Sequence, residues 1–244
     1  MREDVIPVPD VLRQSPIVQP GYRKGEHPAN YGRTLPPEPL TRDELERLLG
    51  TFGQGPCAKR NVALIVVMWR SGLRVAETLA LDPKDIDARA GTVTVLRGKG
   101  SKRRQVALDG YALAALERWM AIRARIGIGP RAPLFCCVDI RTLGKRMHSA
   151  YVRGMLKAHA DKAGILKRVH PHGLRHTLAF ELMMEGQPIN VIRDQLGHSQ
   201  LSTTLRYCDH LAPSATIRAM QDRPPPGFGL EPLPKVAAPS WRRP

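Results

Sequence analysis

Three histidines and an arginine crowd into HPHGLRHT, residues 170–177. His172 and Arg175 are three positions apart, so on a helix they share a face. They can then offer one imidazole and one guanidinium to the same phosphate. His172 and His176, four apart, could instead share a metal ion, but no Glu or third ligand follows at a matching spacing, and zinc is not favoured. The plain alternative is a helix N-terminus holding a buried, hydrogen-bonded histidine. A second arginine, Arg74, stands in SGLRVAE just after a glycine, where a helix start also offers unpaired N–H groups to an anion. Glu77 follows at i+3 and could hold that arginine, which alone would be an ordinary surface pair. RGKGSKRR, residues 97–104, puts Lys99 between two glycines with Lys102, Arg103 and Arg104 close behind. Such a basic tip can enter a nucleic-acid groove, deliver a proton, or simply stay solvated. LGHSQLSTTLRYCDH carries His198 after a glycine and Tyr207 nine residues later; Tyr207 has nothing in its local sequence to mark it.

These residues need a scaffold. Thr41 with Glu44 three later is a capping box and opens a helix that runs to Leu49 and stops at Gly50. Pro56 precedes AKRNVALIVVMWRSG, apolar nearly all round in its middle, which reads as a buried helix ended by Gly72. A short helix over RVAETLAL follows. TVTVLRGKGSKRRQVAL alternates on both sides of a glycine-rich turn and reads as a β-hairpin or small sheet. Helices are expected over 110–126, with Leu113, Leu116, Met120 and Ile126 inward, then over 141–162, 172–185, 188–196, 201–207 and 213–221. Pro188 falls near the first turn of its helix. The fold class is mainly α with a small antiparallel β-sheet or hairpin, and no internal repeat is visible.

The 244 residues suit one domain with extensions. Residues 1–40 and 222–244 are Pro-rich and without apolar period, and are expected to be a disordered arm and tail around a folded 41–221. Hydrophobic residues reach 42% but aromatics only 5%, so the core should rest on Leu, Val, Ile and Ala. Cys57, Cys136, Cys137 and Cys208 form no C-x-x-C pair; they read as reduced core thiols, with PLFCCV a buried strand or turn. Lys and Arg exceed Asp and Glu by 38 to 22, a formal charge of +16, which favours a polyanionic partner. No signal-like start or long apolar run is present, so a membrane partner is not expected and the chain is read as cytoplasmic.

Taken in order, SGLRVAE, GKGSKRR, HPHGLRHTLA and LGHSQLSTTLRYCDH resemble the motifs of the tyrosine recombinase, or phage integrase, family. The resemblance spans about 41–220. The last two motifs are the most specific, with 23 residues from Arg175 to His198 and nine more to Tyr207. It implies the tyrosine recombinase catalytic-domain fold and DNA cleavage by a tyrosine hydroxyl through a 3′-phosphotyrosine link, with no metal or other cofactor. The implied catalytic residues are Arg74, Lys99, His172, Arg175, His198 and Tyr207. The two arginines would stabilise phosphate charge, as fixed donors do without reorganisation. Lys99, with Lys102 as the rival, would protonate the leaving 5′-oxygen, its pKa lowered by neighbouring arginines. His172 would accept the tyrosine proton or bond the phosphate, and His198 would bond the phosphate. Tyr207, with an unperturbed pKa of ~10, would be the nucleophile. Glu77 would buttress the site, His176 would pack behind it, and His170 would lie outside it.

Double-stranded DNA is the implied partner. Lys145, Arg146, Arg153 and Lys157 on one helix, and Lys102, Arg103 and Arg104 on the hairpin, are candidate phosphate contacts. The family usually assembles as a tetramer on two DNA sites, so a homo-tetramer or a partner recombinase is expected, with 213–221 a candidate docking helix. Most members carry a helical core-binding domain ahead of the catalytic one. The 40 residues before the match are too few for it, which leaves an arm acting as clamp, a second recombinase, or a remnant of a longer gene. A type IB topoisomerase-like enzyme and a non-catalytic DNA-binding module of the same fold are the competing functions.

Overall fold

The computed structural model describes residues 38–96, 103–197 and 220–221. Helix α1 (Arg42–Gly50) begins at the expected capping box: the Thr41 hydroxyl accepts the Glu44 N–H at 3.2 Å, and the Glu44 carboxylate accepts the Thr41 N–H at 2.7 Å. Helix α2 (Pro56–Ser71) is the centre of the fold. Leu64, Ile65, Val67 and Met68 lose all contact with solvent, as a helix apolar on every side requires. It packs against α4 (Gly110–Arg125) and α6 (Pro171–Met184). Gly72 ends α2 at φ +67, and a Cβ there would sit 2.7 Å from Leu196 Cδ2 and 3.0 Å from Leu178 Cδ2. The glycine is therefore needed twice, for its left-handed backbone and for the two leucines that close over it.

Helix α3 (Val75–Ala80) follows at once. The expected hairpin forms from β2 (Thr92–Leu96) and β3 (Arg103–Ala107), antiparallel with Val93 opposite Val106 and Val95 opposite Arg104. A strand not foreseen, β1 (Ile86–Asp87), pairs with the other edge of β2, giving the order β1-β2-β3. Helices α5 (Ser149–Lys162) and α7 (Ile189–Leu196) complete the scaffold, α7 opening at Pro188.

Several expectations need correction. The helix expected over 141–162 starts only at Ser149. Gly144 at φ +77 turns the chain, and Cys136 bridges Arg146 across that turn, so after a single 3-10 turn at Ile140–Thr142 the chain runs as a loop to the α5 cap at His148. Lys145 and Arg146 accordingly do not share a helix with Arg153 and Lys157. The inward stripe of α4 is Ala112, Leu116, Trp119 and Arg123; Leu113, Met120 and Ile126 are only partly buried. Trp119 and Phe135 are fully buried within an otherwise mostly aliphatic core, and the Trp119 indole N–H finds the Leu134 carbonyl at 2.8 Å. Of the thiols, Cys136 is buried, but Cys137 is partly exposed and Cys57 is at the surface. The arm over 1–37, the tail over 222–244, the helix at 201–207 and Cys208 lie outside the described residues. Of 213–221 only Met220 and Gln221 are described, both helical. Among the described residues no helix is long and apolar enough to cross a membrane.

Candidate active site

The two motif arginines meet the fold in opposite ways. Arg175 lies on α6 and is 1% exposed; its Nη1 donates to the carbonyl of Gly72, 103 residues earlier. The left-handed turn that ends α2 thus aims a carbonyl at the guanidinium, and this is how SGLR and HGLRH come together. Helix α6 is held in place by further bonds. Arg70 on α2 is paired both to Asp109, the cap of α4, and to Glu181 of α6 at 3.0 Å; the Trp69 indole also donates to Glu181. Thr177 donates to Gly173 O and accepts the Leu40 N–H, which ties the start of the domain to α6.

Arg74 caps α3 with a side chain 48% exposed. An arginine cannot accept a hydrogen bond, so the cap works in one direction: Glu77 accepts the Arg74 N–H at 3.0 Å on Oε2 and Arg74 Nη1 at 3.1 Å on Oε1. Glu77 also accepts Arg104 Nη1 at 2.9 Å and Nη2 at 3.0 Å, a two-pronged pair. Burial alone would raise the Glu77 pKa; the bonds and charges of Arg104 and Arg74 more than reverse this and bring it to about 2. Arg104 is therefore engaged inside the protein and is not the DNA-facing side chain the basic run suggested. Strand alternation carries the signal: Arg104 falls on the same face as the buried Val106 and Leu108. Arg146 is likewise partly engaged, donating to the Leu79 carbonyl. Arg103, Arg153 and Lys157 are exposed.

His172 sits in the first turn of α6 and is exposed, but its ring packs edge-on against His176 with centroids 4.4 Å apart. Its pKa is lowered, first by desolvation and then by the positive charges of Arg175, His170 and Arg74. The imidazole is thus kept neutral near pH 7 and able to accept a proton. His170 is the cap of α6: its Nδ1 accepts the Gly173 N–H at 3.0 Å. The structure therefore brings Arg74, Glu77, His172, Arg175 and His176 to one region. Lys99, its rival Lys102, His198 and Tyr207 lie outside the described residues.

At the other edge, α7 ends at Gly197, φ +66, the residue before His198 in sequence. Gln195 anchors this end. Its Nε2 donates to Ser71 O at 3.2 Å and to Ala107 O at 3.0 Å, and its Oε1 accepts the Ala107 N–H at 3.2 Å. Gln195 is no part of the candidate set read from the sequence, and Arg104 stands in it only as a phosphate contact.

A sequence-family model described as "Phage integrase family" matches residues 38–213, more than half of the chain. A protein named tyrosine recombinase XerC from Thermodesulfovibrio yellowstonii is 36% identical over 177 residues, 70% of this chain and 57% of the relative. A tyrosine recombinase XerD from Mycobacterium leprae is 35% identical over 199 residues, 78% of this chain and 62% of the relative. The chain thus spans about three fifths of the length of the curated relatives it matches. Among solved structures, the XerA recombinase superposes with a TM-score of 0.65 at 30% identity, covering 78% of this chain and 67% of the other. XerH site-specific recombinase bound to a palindromic difH substrate, in a post-cleavage complex, superposes with a TM-score of 0.61 at 26% identity, covering 77% and 54%.

Proposed function

The chain belongs to the phage integrase family, and from that premise we propose that it is a site-specific DNA recombinase working through a 3′-phosphotyrosine intermediate. The Tyr207 oxygen attacks the scissile phosphorus as the bond to the 5′-oxygen breaks. The tyrosine proton passes to the neutral His172, and Lys99 gives a proton to the leaving 5′-oxygen. Arg74 and Arg175 carry the negative charge that gathers on the non-bridging oxygens, helped by His198. A 5′-hydroxyl then attacks the phosphotyrosine, the phosphorus–tyrosine bond breaks, and the DNA is resealed. The phosphodiester bond energy is kept throughout, so no nucleotide cofactor is required.

The observation that carries this reading is that Arg74, His172 and Arg175 come to one region, with the His172 pKa lowered first by desolvation and then by charges that include both arginines. Two cations beside a neutral proton acceptor suit phosphoryl transfer without a metal. The formal charge of +16 supports a duplex DNA partner held largely by phosphate contacts. Strand exchange between two sites calls for several active sites at once, met by a homo-tetramer on DNA or by a second recombinase beside this one. We place this reaction in the cytoplasm, with the duplex DNA on which it is proposed to act.

The test is incubation with end-labelled duplexes from DNA flanking the gene, each nicked near the cleavage point so that a short 5′ fragment diffuses away. A protein–DNA adduct on denaturing gels that vanishes in Tyr207→Phe is the expected result. Relaxation of supercoiled DNA without strand exchange would instead mark a topoisomerase-like enzyme. Salt-sensitive binding with no adduct would mark a binding module.

A further inference from the structure

The basic run RGKGSKRR points to DNA, yet its last arginine turns away. Arg104 and Glu77 are each 14% exposed, and the guanidinium fork grips both carboxylate oxygens at 2.9 and 3.0 Å. The same two oxygens hold Arg74, one by its backbone N–H and one by its guanidinium. The orientation of the carboxylate is thus fixed on one side by Arg104 and read out on the other by Arg74. Arg104 has a second neighbour. A Cβ on Gly197 would overlap the guanidinium, lying 2.8 Å from Cζ and 3.0 Å from Cδ. The turn at Gly197 approaches this closely because it has no side chain. One planar group on β3 therefore touches the carboxylate behind Arg74 and the turn that leads in sequence to His198, and it sits on the hairpin that carries Lys99.

We propose that Arg104 is a positioning residue for strand cleavage: through Glu77 it fixes the Arg74 guanidinium, and by packing on Gly197 it sets the turn preceding His198. This rests on the phosphotyrosine reading above. Arg104 itself touches no DNA. Its role explains why a hairpin expected to present its charges to DNA directs one arginine inward. It also couples the hairpin to α3 and to the end of α7, so that a displacement of β3 disturbs all three together. A lysine cannot substitute fully, since an ammonium cannot span both carboxylate oxygens in a fixed plane.

The experiment uses the full chain with Arg104→Met, Arg104→Lys, Glu77→Gln and the Arg104→Met/Glu77→Gln double variant. The adduct-forming rate at saturating nicked DNA and the DNA affinity are measured separately. Arg104→Met should cleave about 100-fold more slowly, the scale of a misplaced reacting group, with affinity essentially unchanged. Arg104→Lys should recover part of the rate, and it carries the test by itself if Arg104→Met fails to fold. The double variant should lose less than the product of the two single losses, because both changes disturb Arg74 through Glu77. Wild-type cleavage by Arg104→Met would overturn the proposal. So would a cleavage loss matched by an equal loss of affinity, which would make Arg104 a DNA contact, or a double variant whose losses multiply. Absence of an adduct from the wild type would sink the phosphotyrosine reading instead. Orthovanadate binding, followed by vanadium NMR, then decides for Arg104: binding about tenfold weaker in Arg104→Met supports it, as expected for one misplaced charged donor, and equal binding refutes it.

Discussion

Arg175 and Arg74 bear the same group toward the same region, and the protein fixes them by different physics. Arg175 is set by packing: it is buried to 1% exposure on a long helix and bonded to a backbone carbonyl that a left-handed glycine presents. Arg74 is set by charge: it is 48% exposed on a six-residue helix and held by a carboxylate shared with Arg104. A guanidinium fixed by packing resists salt and pH but is bound up with folding. One fixed by charge is cheap for the fold and vulnerable to whatever disturbs its counter-ion.

The largest separation of the two should come from truncation. Arg175→Met leaves the Gly72 carbonyl buried without this donor, and should cost about 3 kcal/mol of stability along with loss of the adduct. Arg74→Met should abolish the adduct as well but change stability by less than about 1 kcal/mol, the usual scale of an exposed pair. Thermal or urea unfolding beside the nicked-duplex assay checks both; equal destabilisation would erase the distinction.

Acid should attack the charge-held side first. Glu77 has a folded pKa of about 2 against an ordinary 4.5, so its contribution is complete above pH 4.5 and is lost as pH falls toward 2. The shift corresponds to about 3 kcal/mol, and the difference in stability between wild type and Glu77→Gln should shrink across that window. A difference that stays constant from pH 5 to pH 2.5 would mean that Glu77 is not the titrating group. His172 adds a kinetic signature of the same kind. Because its pKa is lowered from 6.5, the acid limb of the cleavage rate should fall below the usual imidazole range, and His172→Gln should remove that limb.

On the packed side, Gly72→Ala forces a left-handed residue and a clash with Leu196 and Leu178, and should cost about 2 kcal/mol. Cleavage should fall with it, since Gly72 also supplies the carbonyl of Arg175; a variant that melts normally would show that this turn is not strained. The smallest effects should come from the exposed cations. Arg153→Ala and Lys157→Ala should each lower the salt dependence of DNA binding by about one counter-ion, with no change in melting.

The residues that were legible and those that were not divide along similar lines. The Thr41–Glu44 cap, the all-round apolar α2, the Gly72 stop and the hairpin are short-range patterns, and each formed as read. The run after Cys137 has enough Lys, Arg and His to look helical, yet a positive-φ glycine and a bridge from Cys136 to Arg146 claim it for a loop until Ser149. By composition Arg104 is one more charge in a basic tip, but its strand period places it on the face of buried Val106.

The sequence by itself determined which residue types stand in which order along the chain: Arg74, Lys99, His172, Arg175, His198 and Tyr207 lie in motifs that resemble those of the phage integrase family. It also determined most helix ends, because caps and glycine stops act within four residues. Only the tertiary structure decided how the two arginines are held. The Arg175–Gly72 bond joins residues 103 apart and the Arg104–Glu77 pair joins residues 27 apart. Such contacts depend on which helices and strands become neighbours, and that is settled by burial of the whole core rather than by any local run of residues.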